Sequence, residues 1–280
     1  MQFFLVMFFI YMVSALIWIR LMRKNKENKV SIHNYFCCLL VITCIECAIT
    51  YLEYDIFNNS GSRVLPLAVF SVFFSAFRET LARLICLLIS LGYGIVMNVL
   101  NRYVTKIGLL SFLFFIACAI NQAVFYINQY KPLSQSVKFM MVLPQITLEL
   151  LMLVWIISAL RRTLSYLKMK RQDYKLSIMK RFAMIFSIGV SIYILIRVAK
   201  MLFEVSQQEA DAWKHEHKFQ IAWFLAFSAT LFGSAWVFRP TDGSKMLAEV
   251  DELLDETLTE MGQVEGDTRR LDSVEYQVEL

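Results

Sequence analysis

Gln2-Phe3-Phe4-Leu5-Val6-Met7-Phe8-Phe9-Ile10-Tyr11-Met12-Val13-Ser14-Ala15-Leu16-Ile17-Trp18-Ile19-Arg20-Leu21 is an apolar run that stops at Met22-Arg23-Lys24-Asn25-Lys26. As an α-helix rising about 1.5 Å per residue it reaches across a hydrocarbon core of about 30 Å. It has no basic n-region and no A-x-A-like cleavage site, and it runs straight into positive charge. It therefore reads as a retained membrane anchor with its amino terminus on the non-cytoplasmic side, not as a cleaved signal. Six further runs of the same kind follow, at His33 to Tyr54, Leu65 to Val96, Ile107 to Tyr130, Val137 to Leu160, Phe182 to Val205 and Phe219 to Phe238. The expected fold class is an all-α membrane protein, a seven-transmembrane helix bundle over residues 1–240 with an acidic cytosolic tail over 241–280. The third run, at 32 residues, would make a helix of about 48 Å, so it must tilt or protrude.

Composition agrees with a lipid solvent. Hydrophobic residues make up 58% of the 280 residues and charged residues 18%, and the mean hydropathy is +0.54, beyond the roughly half-apolar average of a soluble domain. The runs are too long for strands and lack period-2 alternation, which excludes a β-barrel. Cys37, Cys38, Cys44, Cys47, Cys86 and Cys118 all fall inside apolar runs and read as small buried hydrophobes rather than a disulfide framework.

Charge sets the orientation. Arg20, Arg23, Lys24, Lys26 and Lys29 fill the first connection, Arg102 and Lys106 the third, and Arg161, Arg162, Lys168, Lys170, Arg171, Lys175, Lys180 and Arg181 the fifth. The alternate connections hold only Arg63, Lys131, Lys138, Lys214 and Lys218. That bias, about three to one, places the first set in the cytoplasm and the amino terminus on the non-cytoplasmic side. After Arg239-Pro240 the composition turns acidic. Leu247, Val250, Leu254, Leu258 and Met261 recur at helical spacing among Glu249, Asp251, Glu252, Asp255 and Glu256, which predicts a short amphipathic helix. Its charge disfavours an anionic leaflet, leaving a cytosolic trafficking partner or the basic fifth connection as its contact. Glu249, Leu253 and Leu254 also fit an acidic dileucine sorting pattern, alongside the plainer reading of an acidic helix.

Ionisable side chains inside the predicted spans are the main pointer to a site, because each costs several kcal/mol unless paired or hydrated. They are Glu46 on the second helix, Arg78, Glu79 and Arg83 on the third, Glu149 on the fifth, and Arg197 and Lys200 on the sixth. Glu79 and Arg83, four residues apart, are placed to pair along one face. Together these groups predict a lumen-facing polar cavity with surplus positive charge, suited to a lipid head group or an ion. The alternative is that they pair among the helices or snorkel at helix ends.

Catalytic readings lack their parts. No aspartate lies inside a predicted helix, and His33, His215 and His217 are the only histidines, so neither an intramembrane aspartyl protease nor a helical zinc site is expected. His215-Glu216-His217 reads as a solvated loop. No enzyme activity, cofactor, metal or nucleic-acid partner is expected. Asn101-Arg102-Tyr103 echoes the D/E-R-Y triplet of rhodopsin-like receptors, but the helix 3 disulfide and the N-P-x-x-Y of those receptors are missing. Asn58-Asn59-Ser60 is a glycosylation sequon on a short predicted loop.

Thr80-Leu81-Ala82-Arg83-Leu84, followed by Ser90-Leu91-Gly92-Tyr93-Gly94-Ile95-Val96, resembles helix 3 of the lung seven-transmembrane receptor family, in its transmembrane protein 87 group. Glu46, Glu53-Tyr54, Lys175-Leu176-Ser177, Arg181-Phe182 and Arg239-Pro240 extend the resemblance over roughly residues 1–260. It implies a Golgi protein linked to endosome-to-Golgi transport, with a seven-helix domain like that of Wntless behind a luminal Golgi-dynamics-type β-sandwich. Lipid binding and ion conduction in the helical cavity are implied as well. Two departures are expected: the luminal domain is lacking, and Glu79 stands where a basic residue would be anticipated. The reading is a non-enzymatic Golgi multi-pass protein acting in trafficking or Golgi homeostasis and binding a phospholipid. A cation channel lined by Glu46, Glu79 and Glu149, and a receptor coupled through the fifth connection, stay open beside it.

Overall fold

The computed structural model describes residues 2–25, 31–62, 64–93, 104–130, 134–206 and 212–239. Seven helices account for them: α1 (Gln2–Lys24), α2 (Ser31–Ser60), α3 (Leu65–Ser90), α4 (Val104–Tyr130), α5 (Gln135–Met169), α6 (Asp173–Ser206) and α7 (Ala212–Val237). The described residues contain no strand. Six of the seven are long and apolar enough to cross a membrane by length and composition; α3, the seventh, carries Arg78, Glu79 and Arg83 in its middle. The fold is an all-α seven-helix membrane bundle.

Each helix buries one stripe and turns the rest outward. In α1 the buried residues are Phe4, Met7, Tyr11, Ala15 and Trp18, spaced three and four apart as one helical face requires. Val6, Phe9, Val13, Leu16 and Ile17 lie on the other side, exposed, where lipid rather than water would meet them. The end where α1 begins is here the upper end. Phe4 stacks on Tyr54 there, while at the lower end the Trp18 indole donates to the His33 carbonyl at 3.0 Å, so α1 and α2 run antiparallel. Tyr11 donates to Ser228 Oγ at 2.7 Å, which brings α7 against α1 and closes the ring. Around it α3 packs on α2, α4 and α5, and α6 on α5 and α7.

Two boundaries differ from the hydropathy pattern. The third apolar run is not a single 32-residue helix. α3 stops at Ser90, where Gly92 takes the left-handed conformation (φ 79°). Its N–H bonds the Ile89 carbonyl and that of Tyr93 bonds the Leu88 carbonyl, at 2.9 and 3.0 Å, a Schellman closure that a glycine adopts without Cβ strain. At 26 residues the helix is about 39 Å long, so little protrusion is needed. The free Ser90 carbonyl accepts from Thr163 Oγ1 of α5 at 2.8 Å.

The fifth connection, in contrast, is nearly all helix. α5 runs on to Met169 and α6 begins at Asp173, because Leu160, Thr163 and Leu167 keep a buried face while Arg161, Arg162 and Lys168 beside them are exposed. A second Schellman closure ends α5, with Arg171 at φ 54° and bonds from Arg171 to Lys168 and from Gln172 to Leu167. Asn58 lies exposed in the last turns of α2, not in a loop. The tail, with Glu249, Leu253 and Leu254, lies outside the described residues, as do Asn101-Arg102-Tyr103 and the side chains of His215, Glu216 and His217.

Candidate functional site

Helical geometry decides where the three charges of α3 go. Successive residues turn by about 100°, so Glu79 and Arg83 share a face and Arg78 looks to one side. Arg78 turns toward α2 and forms an ion pair with Glu46. Both are buried, at 3% and 6% exposure, so the charge is held by its partners rather than by water. Phe224 and Phe227 of α7 cover the same guanidinium at 5.3 and 4.5 Å, a favourable placement for a cation on a ring face.

Arg83 departs from the i,i+4 expectation. Its Nη1 touches the backbone oxygen of Glu79 at 3.4 Å, and its charge is met across the bundle by Glu149 of α5, Nη2 to Oε1 2.6 Å. The other Glu149 oxygen accepts from Tyr193 of α6. The Glu79 carboxylate faces α4, where Cys118 Sγ lies at 3.8 Å, and also stands 3.8 Å from Arg78 Nη2. With the Glu79 carboxylate directed at Cys118 and Arg78, the carboxylate that meets Arg83 is Glu149.

Arg197 is held by rings. Its guanidinium lies 4.6 Å from the Trp223 ring centroid and 5.7 Å from that of Tyr193, and its Nη2 is 3.5 Å from the Tyr193 hydroxyl. Among the described residues no carboxylate stands within ion-pair distance of it. Arg78 Nη1 is likewise buried without a hydrogen-bond acceptor among them, and the Gln145 side-chain oxygen is buried without a donor.

All seven ionisable residues singled out from the predicted spans line one or other of two cavities. The upper cavity, about 180 Å³, is walled by Glu46, Arg78, Glu79, Gln145, Arg197 and Lys200 among others. The lower, about 140 Å³, is walled by Arg83, Glu149 and apolar side chains such as Leu39, Met152, Ile156 and Phe186. Trp223 lines both. The belt of Arg83, Glu149, Tyr193 and Arg197 thus lies where a polar chamber gives way to an apolar one. Asn58 is not part of either.

Several members of this site were not legible as such. Tyr193 and Trp223 read in the sequence as aromatic residues of apolar runs; the one available signal was the spacing of Tyr193 four residues before Arg197. Tyr126 donates to Glu53 at 2.7 Å and lies 2.8 Å from Ser71 Oγ, adding a polar layer above, and Asn121 and Gln122 face the same chamber. Among the described residues no group of histidine, cysteine and carboxylate side chains could hold a metal ion.

A family model described as GOST, seven transmembrane domain, matches residues 1–245. Transmembrane protein 87B of Mus musculus is 27% identical over 253 residues, covering 89% of this chain and 44% of the relative. Transmembrane protein 87A of Homo sapiens is 25% identical over 250 residues, with 89% and 44% covered. Membrane protein PTM1 of Saccharomyces cerevisiae is 24% identical over 258 residues, with 87% and 48% covered. The chain spans less than half the length of these relatives. Matched by the family model over most of its length and similar to the transmembrane protein 87 group, the chain belongs to the GOST seven-transmembrane-domain family.

Proposed function

We propose that the chain is a non-enzymatic multi-pass protein of the Golgi membrane, acting in endosome-to-Golgi transport or Golgi homeostasis, and that its polar cavity receives the head group of an anionic phospholipid. The observation that carries the ligand is the pair of neighbouring cavities, one polar and one apolar, that share Trp223 as a lining residue. The upper one presents Arg197, Lys200 and the acceptor-less Nη1 of Arg78, and the lower one is walled mainly by hydrocarbon. A phosphate with acyl chains matches both. A guanidinium cannot lose its proton at any relevant pH, and Arg197, resting on rings, gains most from a bidentate phosphate. The Golgi setting is what the resemblance implies, and the bias of basic connections supports a luminal amino terminus with a cytosolic tail.

A cation path lined by Glu46, Glu79 and Glu149 has less support, since arginines engage Glu46 and Glu149. Native mass spectrometry of the purified protein tests the lipid reading. Arg197→Ala should lower the amount of co-purified phospholipid, and Arg197→Lys should recover part of it because the planar fork is gone. Equal lipid in all three proteins rejects the head-group site, and cation currents from the purified protein in liposomes would favour the channel.

A further inference from the structure

The lower end of the bundle carries a strongly basic projection. Arg161, Arg162, Lys168, Lys170, Lys180 and Arg181 are all exposed on the hairpin formed by the end of α5 and the start of α6. Asp173 is the only carboxylate between residues 161 and 181. With 35 and 34 residues, these helices would measure about 50 Å each, against a hydrocarbon core of about 30 Å, and the charged ends are what must stand clear of it.

The chain leaves the bundle beside this projection. Phe238, directly after α7, packs on Phe182 of α6 with ring centroids 5.5 Å apart, and on Phe36 at 6.1 Å. Phe182 follows Arg181 directly. What comes next in sequence is acidic: between residues 246 and 261 there are Glu249, Asp251, Glu252, Asp255, Glu256 and Glu260, and no lysine or arginine.

We infer that the acidic stretch 246–261 docks on the α5–α6 hairpin of its own chain. Reach permits it. The ten residue-to-residue steps from Arg239 to Glu249 span up to about 33 Å when extended, and the hairpin tip lies about 16 Å along α6 from Phe182. Single exposed ion pairs are weak, but several made by one tethered segment act at high effective concentration. The rival occupant of a basic surface at this depth is an anionic leaflet, which the tethered tail competes against from an anchor at Phe238, eight residues before the acidic stretch begins. The clamp does not depend on which side of the membrane the lower end faces, because both partners are at that end. It also engages Glu249, four residues before Leu253-Leu254, so a partner that reads the dileucine pattern must first displace the hairpin.

The test uses the full chain in nanodiscs of neutral phosphatidylcholine, treated with a carbodiimide that joins lysine amines to carboxylates without a spacer. Peptide mapping should find links from Lys168, Lys170 or Lys180 to carboxylates of 246–261. Their yield should fall several-fold at about 1 M salt, where the screening length is about 3 Å. Arg161→Glu, Arg162→Glu and Arg181→Glu together leave the reporting lysines in place and should cut the links several-fold. Adding Glu249→Lys and Glu252→Lys should restore them. Mixed light and heavy-isotope protein separates links within a chain from links between copies. Links that ignore salt and arginine reversal, links found only between heavy and light chains, or links lost when phosphatidylserine is included would each overturn the inference, the last in favour of the leaflet.

Discussion

Arg83 Nη2 stands 2.6 Å from Glu149 Oε1, so a guanidinium of α3 and a carboxylate of α5 neutralise each other in the middle of the bundle. Their side chains are only 17% and 10% exposed, and water does little to screen the pair. Removing one member of such a pair strands the other. Arg83→Ala should therefore destabilise the protein by about 3–5 kcal/mol, seen as a lower unfolding temperature in detergent. Arg83→Lys should recover part of that, and Arg83→Met with Glu149→Leu should be more stable than Arg83→Ala, since no buried charge is then left alone.

Gly189 of α6 sits against Thr230 of α7 with no room for a methyl group. A Cβ there would lie 2.5 Å from Thr230 Oγ1 and 2.8 Å from its Cγ2, and Thr230 Oγ1 is itself bonded to the Ala226 carbonyl at 2.9 Å. Gly189→Ala should cost about 1–3 kcal/mol through overpacking. Adding Thr230→Ala should return most of it, which thermal unfolding of the two variants will show.

Arg171 occupies a left-handed position (φ 54°) that a side chain with a Cβ tolerates poorly. Arg171→Gly should stabilise the α5–α6 turn by up to about 1 kcal/mol. An unchanged or lowered unfolding temperature would mean that the arginine makes a compensating contact.

Topology is open to direct measurement. An epitope tag after Leu280 should be reached by antibody when the plasma membrane alone is permeabilised, because the basic connections favour the cytoplasm. A tag that becomes accessible only after full permeabilisation would mean the opposite orientation.

The seven helices were legible from their apolar runs, and so were the charges that line the cavities. What hydropathy alone hid was of two kinds. Where charge and helix coexist, as from Arg161 to Arg181, a run of arginines and lysines looks like a loop, although the buried spacing of Leu160, Thr163 and Leu167 carries α5 on to Met169. Where apolar residues outlast the helix, as at Leu91 and Tyr93, the stop is a backbone matter, and Gly92 was its sign. The pairing of the charges lay beyond the sequence for another reason. Glu79 and Glu149 were both available to Arg83, and only the approach of α5 chooses between them.

Trp223 belongs to the wall of both cavities, and the two chambers therefore do not have independent shapes. A turn of the indole that enlarges one takes space from the other, and it also moves the ring on which Arg197 rests, 4.6 Å away. Occupants of the two chambers are then linked through a single side chain, and such linkage is reciprocal: whatever factor one occupant imposes on the affinity of the second, the second imposes on the first.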